Sequence, residues 1–503
     1  GLFVSLHPNS FESIRKHMTS IRDTYESVIG LEIHVQLNTN SKAYSSDATT
    51  YGEPPNTNIS PISLGHPGTL PRVNEKVIEY AVRLGLATHC EIREWNEYAR
   101  KNYFYADLPK GYQITQHNTP ICTNGHVEIK DADGNPKTIG ITRIHMEEDS
   151  GKSIHDIDPF YTLIDLNRAG VPLLEMVSEP DFRNGEEAYN YLTEMRKLVR
   201  YLDISDGNME EGSLRCDVNV SVRKKGAEKF GTKVEVKNLN SFRNVQKAID
   251  HEIERQIELI ENGGTVVQET RNFDPSSGRT VILRTKEDAH DYRYFTEPDL
   301  QPVVVKEAYI EGVRQELPPL PKELFEKYVR QLGLSEYDAQ VITENKDEAL
   351  YFEELITHTS NYKAAANWMM GAVKSHLNNK AITILDFPIS ASRLAEVITL
   401  VDEGKVSNSA ASQRIFPKMI ESPEESPLVI AQSENLIQES DSGALQGFVV
   451  EALAKFPDKV QEYRNGKKGL IGLFMGEVMK LSKGKADPKV ANQLVREALE
   501  KED

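Results

Sequence analysis

Between Gly30 and Leu37 the chain alternates without a break. Leu31, Ile33, Val35 and Leu37 fall on one side, and Glu32, His34 and Gln36 on the other. Successive side chains of a strand point to opposite faces, so this stretch predicts a strand with one apolar and one wet face. The same pattern recurs over 215–222, where Arg215, Asp217, Asn219 and Ser221 oppose Val218, Val220 and Val222. It recurs over 233–238, where Lys233, Glu235 and Lys237 oppose Val234 and Val236, and near 162–168, where Asp165 and Asn167 share a face. Past about residue 305 the period changes. Leu324, Tyr328, Val329 and Leu332 recur at helical spacing, as do Leu394, Val397, Ile398 and Val401. Prolines at 318, 319 and 321 form a stiff break. A second break, Pro417 to Ser433, reads as a flexible hinge. The expected architecture is a multi-domain α+β/α chain: a mixed α/β domain with a largely antiparallel sheet, an all-α helical domain and a small helical tail domain. The expected boundaries are an extension over 1–27, then 28–315, 316–420 and 421–503.

Composition narrows the class. The 503 residues are 39% apolar and 27% charged, as in an ordinary soluble globular protein. No stretch reaches the roughly 18 apolar residues that a spanning helix needs. The net charge of -18 argues against a uniformly basic surface, so any nucleic-acid contact has to come from local patches. Cys90, Cys122 and Cys216 lie far apart and form no C-x-x-C pair, which speaks against a disulfide framework or a thiolate zinc site. Arg15, Lys16 and Arg22 lie among serines in a segment that reads as a flexible leader or as the flank of an organelle-targeting signal.

Three acidic clusters stand out. Glu32 and His34 share a strand face, where both can ligate one ion; a half-exposed strand would look the same. His145-Met146-Glu147-Glu148-Asp149 places three acids in a row, which repel unless solvent, a cation or a basic group neutralises them; a solvated turn is the plain alternative. Glu175 lies alone inside Pro172–Val177 and is costly to bury unless paired or metal-bound. Oxygen ligands with some imidazole suit Mg2+ or Mn2+. Residues 100–112 mix Arg100, Lys101 and Lys110 with Tyr103, Phe104, Tyr105 and Tyr112, which suits phosphate contact and base stacking as well as an edge strand. Lys467, Lys468, Lys480, Lys483 and Lys485 make the tail the best candidate for phosphate contacts, with a solvated helix face as the plain reading. There is no Walker loop, no dinucleotide glycine fingerprint and no G-x-S-x-G nucleophile elbow.

Taken in order, these blocks resemble the B-type subunit of the Glu-tRNA(Gln)/Asp-tRNA(Asn) amidotransferase. The matching stretches include GLEIHVQL from Gly30, RKNYFYADLPKGYQITQ from Arg100, HMEEDSGK from His145, DLNRAGVPLLEMVSEPD from Asp165, MEEGSLRCDVNVSVR from Met209 and KVEVKNLNSF from Lys233. The resemblance runs from about Val28 to Leu499. It implies a cradle-shaped first domain holding a kinase site, and a tail domain that contacts tRNA. The implied activity is ATP-dependent conversion of Glu-tRNA(Gln) to Gln-tRNA(Gln), by phosphorylation of the glutamate carboxylate and amidation with channelled ammonia. The implied partners are a small third bracing subunit and an amidase-type glutaminase subunit.

By position in those blocks, Glu32, His34, Glu147, Glu148 and Glu175 would line a metal site. Lys101, Lys110 and Glu148 would serve the reaction or the ammonia path. Tyr103, Asn167, Arg215 and Lys237 are expected to face the nucleotide. Bacterial relatives commonly carry zinc-binding cysteines where Ser45–Asp47 and Ser60–Ser63 stand here, and a hydroxyl cannot replace thiolate at structural zinc, so no zinc is expected. That departure and the basic leader point to the mitochondrial matrix, with the bacterial cytoplasm as the alternative. Two rival functions are a non-catalytic tRNA-binding scaffold and an ATP-dependent ligase for a small carboxylic acid. Removing residues 434–503 separates the last of these from a tRNA enzyme: turnover with charged tRNA, followed by product formation, should collapse through weaker binding, whereas a small-molecule ligase would keep its rate.

Overall fold

The computed structural model describes residues 21–285, 291–438 and 442–500; most of the expected extension, 1–20, lies outside them. The first strands are β1 (Tyr25–Gln36), β2 (Glu91–Ile92), β3 (Trp95–Asn96), β4 (Ala99–Asn102) and β5 (Tyr112–Thr115). Next come β6 (Cys122–Lys130), β7 (Pro136–Glu148), β8 (Lys152–Ile154), β9 (Leu163–Asp165) and β10 (Pro172–Ser178). They are followed by β11 (Leu214–Lys224), β12 (Val234–Lys237), β13 (Glu269–Asp274), β14 (Arg279–Thr285), β15 (Phe295–Thr296) and β16 (Val303–Val304).

Nine of these form one sheet in the order β14-β13-β12-β11-β1-β10-β7-β6-β2. Neighbours run antiparallel, except for the parallel pair β12 and β13. The first region is therefore mixed α/β with a large, mostly antiparallel sheet, as the alternation implied. Register brings the wet-face residues level. His34 lies opposite Glu175 on one side and Arg215 on the other, and Glu175 lies opposite His145.

The other face is apolar. Leu31, Ile33, Val35, Ile144, Met146, Leu174, Met176, Val218 and Val220 are buried in one core with helices Glu75–Ala87, Gly185–Tyr201 and Phe242–Glu261. Each fully buried aliphatic side chain contributes roughly 1.5–3 kcal/mol. A one-residue slip of β1 would expose Leu31, Ile33 and Val35 and bury Glu32 and His34 instead, so the pattern itself fixes the register. The three helices start on side-chain caps from Asn74, Asn184 and Ser241, each accepting a backbone N–H of the first turn.

Two expectations are corrected. The strand near 162–168 stops at Asp165, because Asn167 turns to bond the 53–58 loop instead of continuing a ladder. The stretch 417–433 is not an open hinge: helices Phe416–Glu421 and Pro427–Ser433 occupy most of it. Pro427 sits at a helix start, where a missing N–H costs nothing, and Pro417 comes just after the π-helical turn Ala411–Ile415.

The chain divides into two compact units at Leu320 and Pro321. The described part of the second unit is helical. Its last helices, Ser442–Lys455, Pro457–Arg464, Ile471–Leu481 and Pro488–Glu500, close around Leu445, Val449, Phe474, Val478 and Val495. Among the described residues no helix is long and apolar enough to cross a membrane.

Gly185 tests how tightly the helical layer is set. A Cβ there would lie 2.6 Å from the Gln246 carbonyl oxygen and 2.9 Å from Asp250 Oδ1. Gly185→Ala should cost about 1–3 kcal/mol in denaturant unfolding, because the backbone of the neighbouring helix has to give way.

Candidate functional site

The wet face of the large sheet carries two ligand groups side by side. In the first, His34 Nε2 lies 3.5 Å from Glu147 Oε1 and 3.3 Å from Glu175 Oε2. In the second, Glu32, Asp217 and Glu235 converge. In each group the ligand atoms lie within 4.8 Å of one another. Asn219 donates to Glu32 at 3.0 Å, while Lys237 bridges Asp217 at 2.6 Å and Glu235 at 3.0 Å. Carboxylates with one imidazole fit a hard divalent cation such as Mg2+ or Mn2+.

The electrostatics show what these groups do to one another. Burial pushes the Glu32 carboxyl up, and Glu175, Asp217 and Glu235 push the same way. Burial would also raise Glu175, but the imidazoles of His145 and His34 outweigh it and hold it well below the carboxylate range. Burial pulls His34 down, yet Glu175 and Glu147 lift it to about 9. A bound cation would take over the role of that proton.

The sequence sets His145 beside the acids but gives it no role. Its Nε2 lies 3.3 Å from Glu175 Oε2 and 3.6 Å from Glu147 Oε2. Arg143 Nε donates to its Nδ1 at 3.3 Å. Burial pulls His145 down, but Glu175 and Glu147 lift it above the ordinary imidazole value, so a ring proton on Nε2 faces the two carboxylates. His145 thereby orients both of them.

The five residues expected at one ion do not form a single group. His34, Glu147 and Glu175 meet; Glu32 sits beside them on the same face in the second group. Glu148 turns the other way, because adjacent strand residues point to opposite faces. It pairs with Lys110 and accepts the Ile114 N–H at 3.1 Å. That pair lines a separate cavity with Lys42, Tyr44 and Gly170. Lys42, which no sequence pattern singled out, is fully buried there; burial draws its ammonium down to about 8, against the pull of Asp47 and Glu148. Its Nζ donates to the Asn58 carbonyl at 2.6 Å.

Lys101 lines a cleft of about 230 Å³ together with His145, Glu147 and Glu175. Burial would lower its ammonium, but Glu147 and Glu175 keep it above the ordinary value. Arg215 lies on the wet face and pairs with Asp149 at 2.8 Å. Tyr103 sits in an aromatic group with Tyr105 and Tyr292, outside either ligand group. Asn167 commits both amide atoms to the 53–58 loop, accepting from Thr57 and Asn58 and donating to Pro54.

In the second unit Lys467, Lys468, Lys480 and Lys483 are exposed and Lys485 is half-buried. Lys467 reaches Glu462 at 3.0 Å and Lys485 reaches Asn435 at 2.9 Å. At the serine-bearing loop, Ser63 donates to Asp47, and the Ser45 and Ser63 hydroxyls lie 3.2 Å apart. These oxygens bond one another and offer no thiolate, a donor set unfit for structural zinc. Asp217 and Glu235 were readable as wet-face residues, but their convergence on Glu32 depends on strand order, which no local pattern carries.

A family model described as GatB/GatE catalytic domain matches residues 27–311, and one described as GatB domain matches 350–499. The B subunit of the aspartyl/glutamyl-tRNA(Asn/Gln) amidotransferase of Trichormus variabilis is 50% identical over 490 residues, covering 96% of this chain and 99% of that protein. The protein of that description from Persephonella marina is 48% identical over 476 residues, 94% of this chain and 99% of its own length. That from Geotalea daltonii is 50% identical over 479 residues, 95% of this chain and 99% of its own.

His34 supplies a pH test. Its ordinary pKa is roughly 6.5, and in the folded, metal-free protein it stands at about 9. The stabilisation from the charged ring is complete below the lower value and lost as pH rises through the upper one. A cation competes with the same proton. Mn2+ affinity, followed by EPR titration, should therefore rise from pH 7 to about 9 and then level off, and His34→Gln should flatten that rise.

Proposed function

This chain belongs to the GatB family, and we propose that its wet sheet face activates a carboxylate carried by a transfer RNA. Its activity is tRNA-dependent transamidation, as the B-type subunit of an aspartyl/glutamyl-tRNA amidotransferase, a ligase working with other subunits. In the proposed sequence, an oxygen of the glutamate side chain on Glu-tRNA(Gln) attacks the γ-phosphorus of ATP, and ADP leaves. Ammonia then adds to the acyl phosphate carbonyl, loses a proton, and expels phosphate to give Gln-tRNA(Gln). A carboxylate is a poor electrophile, and phosphorylation supplies the leaving group it lacks. The ammonia comes from an amidase-type glutaminase subunit, and a small third component braces the pair.

The observation that carries this reading is the pair of adjoining ligand groups on β1, β7, β10, β11 and β12. Phosphoryl transfer needs concentrated positive charge at the transferring group, and Mg2+ held by these carboxylates and His34 would supply it. Lys237 and Arg215 stand on the same face as cations for the phosphate oxygens. His145 holds Glu147 and Glu175 in place. Lys101 faces the cleft where the reacting carboxylate would lie. Lys110 and Glu148, paired on the opposite side, would meet ammonium on its way to the acyl phosphate and take its proton. The exposed tail lysines contact the tRNA backbone.

We assign the chain to the mitochondrial matrix over the bacterial cytoplasm, on Arg15, Lys16 and Arg22 among serines. Fractionation of source cells tests this, since recovery outside the organelle defeats it.

The two sides of the sheet separate in kinetics. In the complete complex, Glu175→Gln and Glu32→Gln should each lower Glu-tRNA-dependent ADP release by roughly 100-fold or more, the scale of losing a transition-state charge contact. Glu148→Gln should keep that ADP release while Gln-tRNA formation falls. Equal loss of both steps in Glu148→Gln would put this residue back in the phosphorylation step. Full ADP release in Glu175→Gln would remove the kinase reading.

A further inference from the structure

Two aromatic rings line the same cleft as the first ligand group and have no part in the mechanism above. His117 and Tyr294 stack with centroids 4.0 Å apart and planes 6° from parallel. Both line the cleft that holds His145, Glu147 and Glu175. Both are also exposed, Tyr294 at 37%, so the pair is not core packing.

The stack is held from behind. Arg143 donates to the carbonyl oxygens of Gln116 at 2.9 Å and His117 at 3.0 Å, fixing the backbone that carries the imidazole. Tyr292 meets Tyr294 edge-on at 6.0 Å, and the Lys101 ammonium lies 4.7 Å over the Tyr292 ring. The outcome is a flat π wall, with a cation nearby, in a cleft that carboxylates also line.

A purely apolar ligand does not suit a cleft lined by Lys101, Arg143 and two glutamates. A ligand that joins a planar ring to a metal-bridged phosphate or an acyl group matches both the rings and the carboxylates of this lining. We propose that the His117–Tyr294 pair is a nucleobase subsite on which an adenine stacks, as a third ring on the existing stack. Two substrates of the proposed reaction end in adenine: ATP, and the unpaired 3′-terminal nucleotide that carries the glutamyl group. The inference rests on that reaction. It differs from the expectation for Tyr103, whose ring is flanked by the edges of Tyr105 and Tyr292 and whose hydroxyl reaches Gln113 at 3.5 Å.

The test uses the complete complex with ATP, Mg2+, Glu-tRNA and ammonium chloride, so that glutamine hydrolysis is bypassed. Tyr294→Leu and His117→Ala should each raise KM for one substrate by about 5- to 150-fold, the range for losing a base–aromatic stack. The value of kcat should stay close to wild type, and Tyr294→Phe should restore KM. A rise in KM for ATP assigns the subsite to the nucleotide; a rise in KM for Glu-tRNA assigns it to the 3′ terminus. Unchanged KM for both substrates overturns the proposal. Wild-type complex photolysed with 8-azido-ATP, or with tRNA ending in 8-azidoadenosine, guards against a misfolded variant. One of the two probes should label residues 291–300 or 112–120, and labelling confined elsewhere overturns the proposal. Should the wild-type complex show no Glu-tRNA-dependent ADP release, the reaction itself is refuted, an outcome separate from either of these.

Discussion

Cross-strand alignment of His34, Glu175 and His145 is the constraint on which the rest of the site depends. β10 lies between β1 and β7, and its Glu175 is level with both imidazoles. Without that alignment each residue would be an isolated buried polar group, costly to desolvate. With it, two carboxylates and His34 close on a space the size of an ion, and the imidazoles hold Glu175 ionised. The apolar side of the same strands resists a shift, since a one-residue slip would exchange core residues for charges.

The sheet separates two kinds of chemistry by pleat alone. Glu147 and Glu148 are neighbours in sequence, but one faces the ligand groups and the other faces Lys110 and the cavity beside buried Lys42. The proposed reaction, which phosphorylates a carboxylate and then delivers ammonia to it, would gain from such a partition. In that proposal the phosphate side would need concentrated positive charge, and the ammonia side a base and a path free of a competing metal. One strand end, Glu147-Glu148-Asp149, supplies a ligand to one side and an ion-pair partner for Lys110 to the other, and through Asp149 anchors Arg215.

In the loop bearing Ser45, Asp47 and Ser63, hydroxyls and one carboxylate bond one another beside Lys42.

Local pattern in the sequence determined a good deal. Alternation over 30–37, 215–222 and 233–238 gave strands and their wet faces, because a period of two is a property of the backbone and needs no partner. It also placed Glu32, His34, Asp217 and Glu235 on polar faces, and helical spacing beyond 320 marked the second unit. Tertiary structure decided what those faces meet. Strand order split the expected ligands into two groups, brought in Asp217 and Glu235, gave His145 its orienting role and sent Glu148 to the other side. It also ended the strand at Asp165 and set His117 against Tyr294, its distant neighbour along the chain. Pairing between distant segments is fixed by the burial of a whole apolar face, a sum over the fold that no single stretch of residues contains.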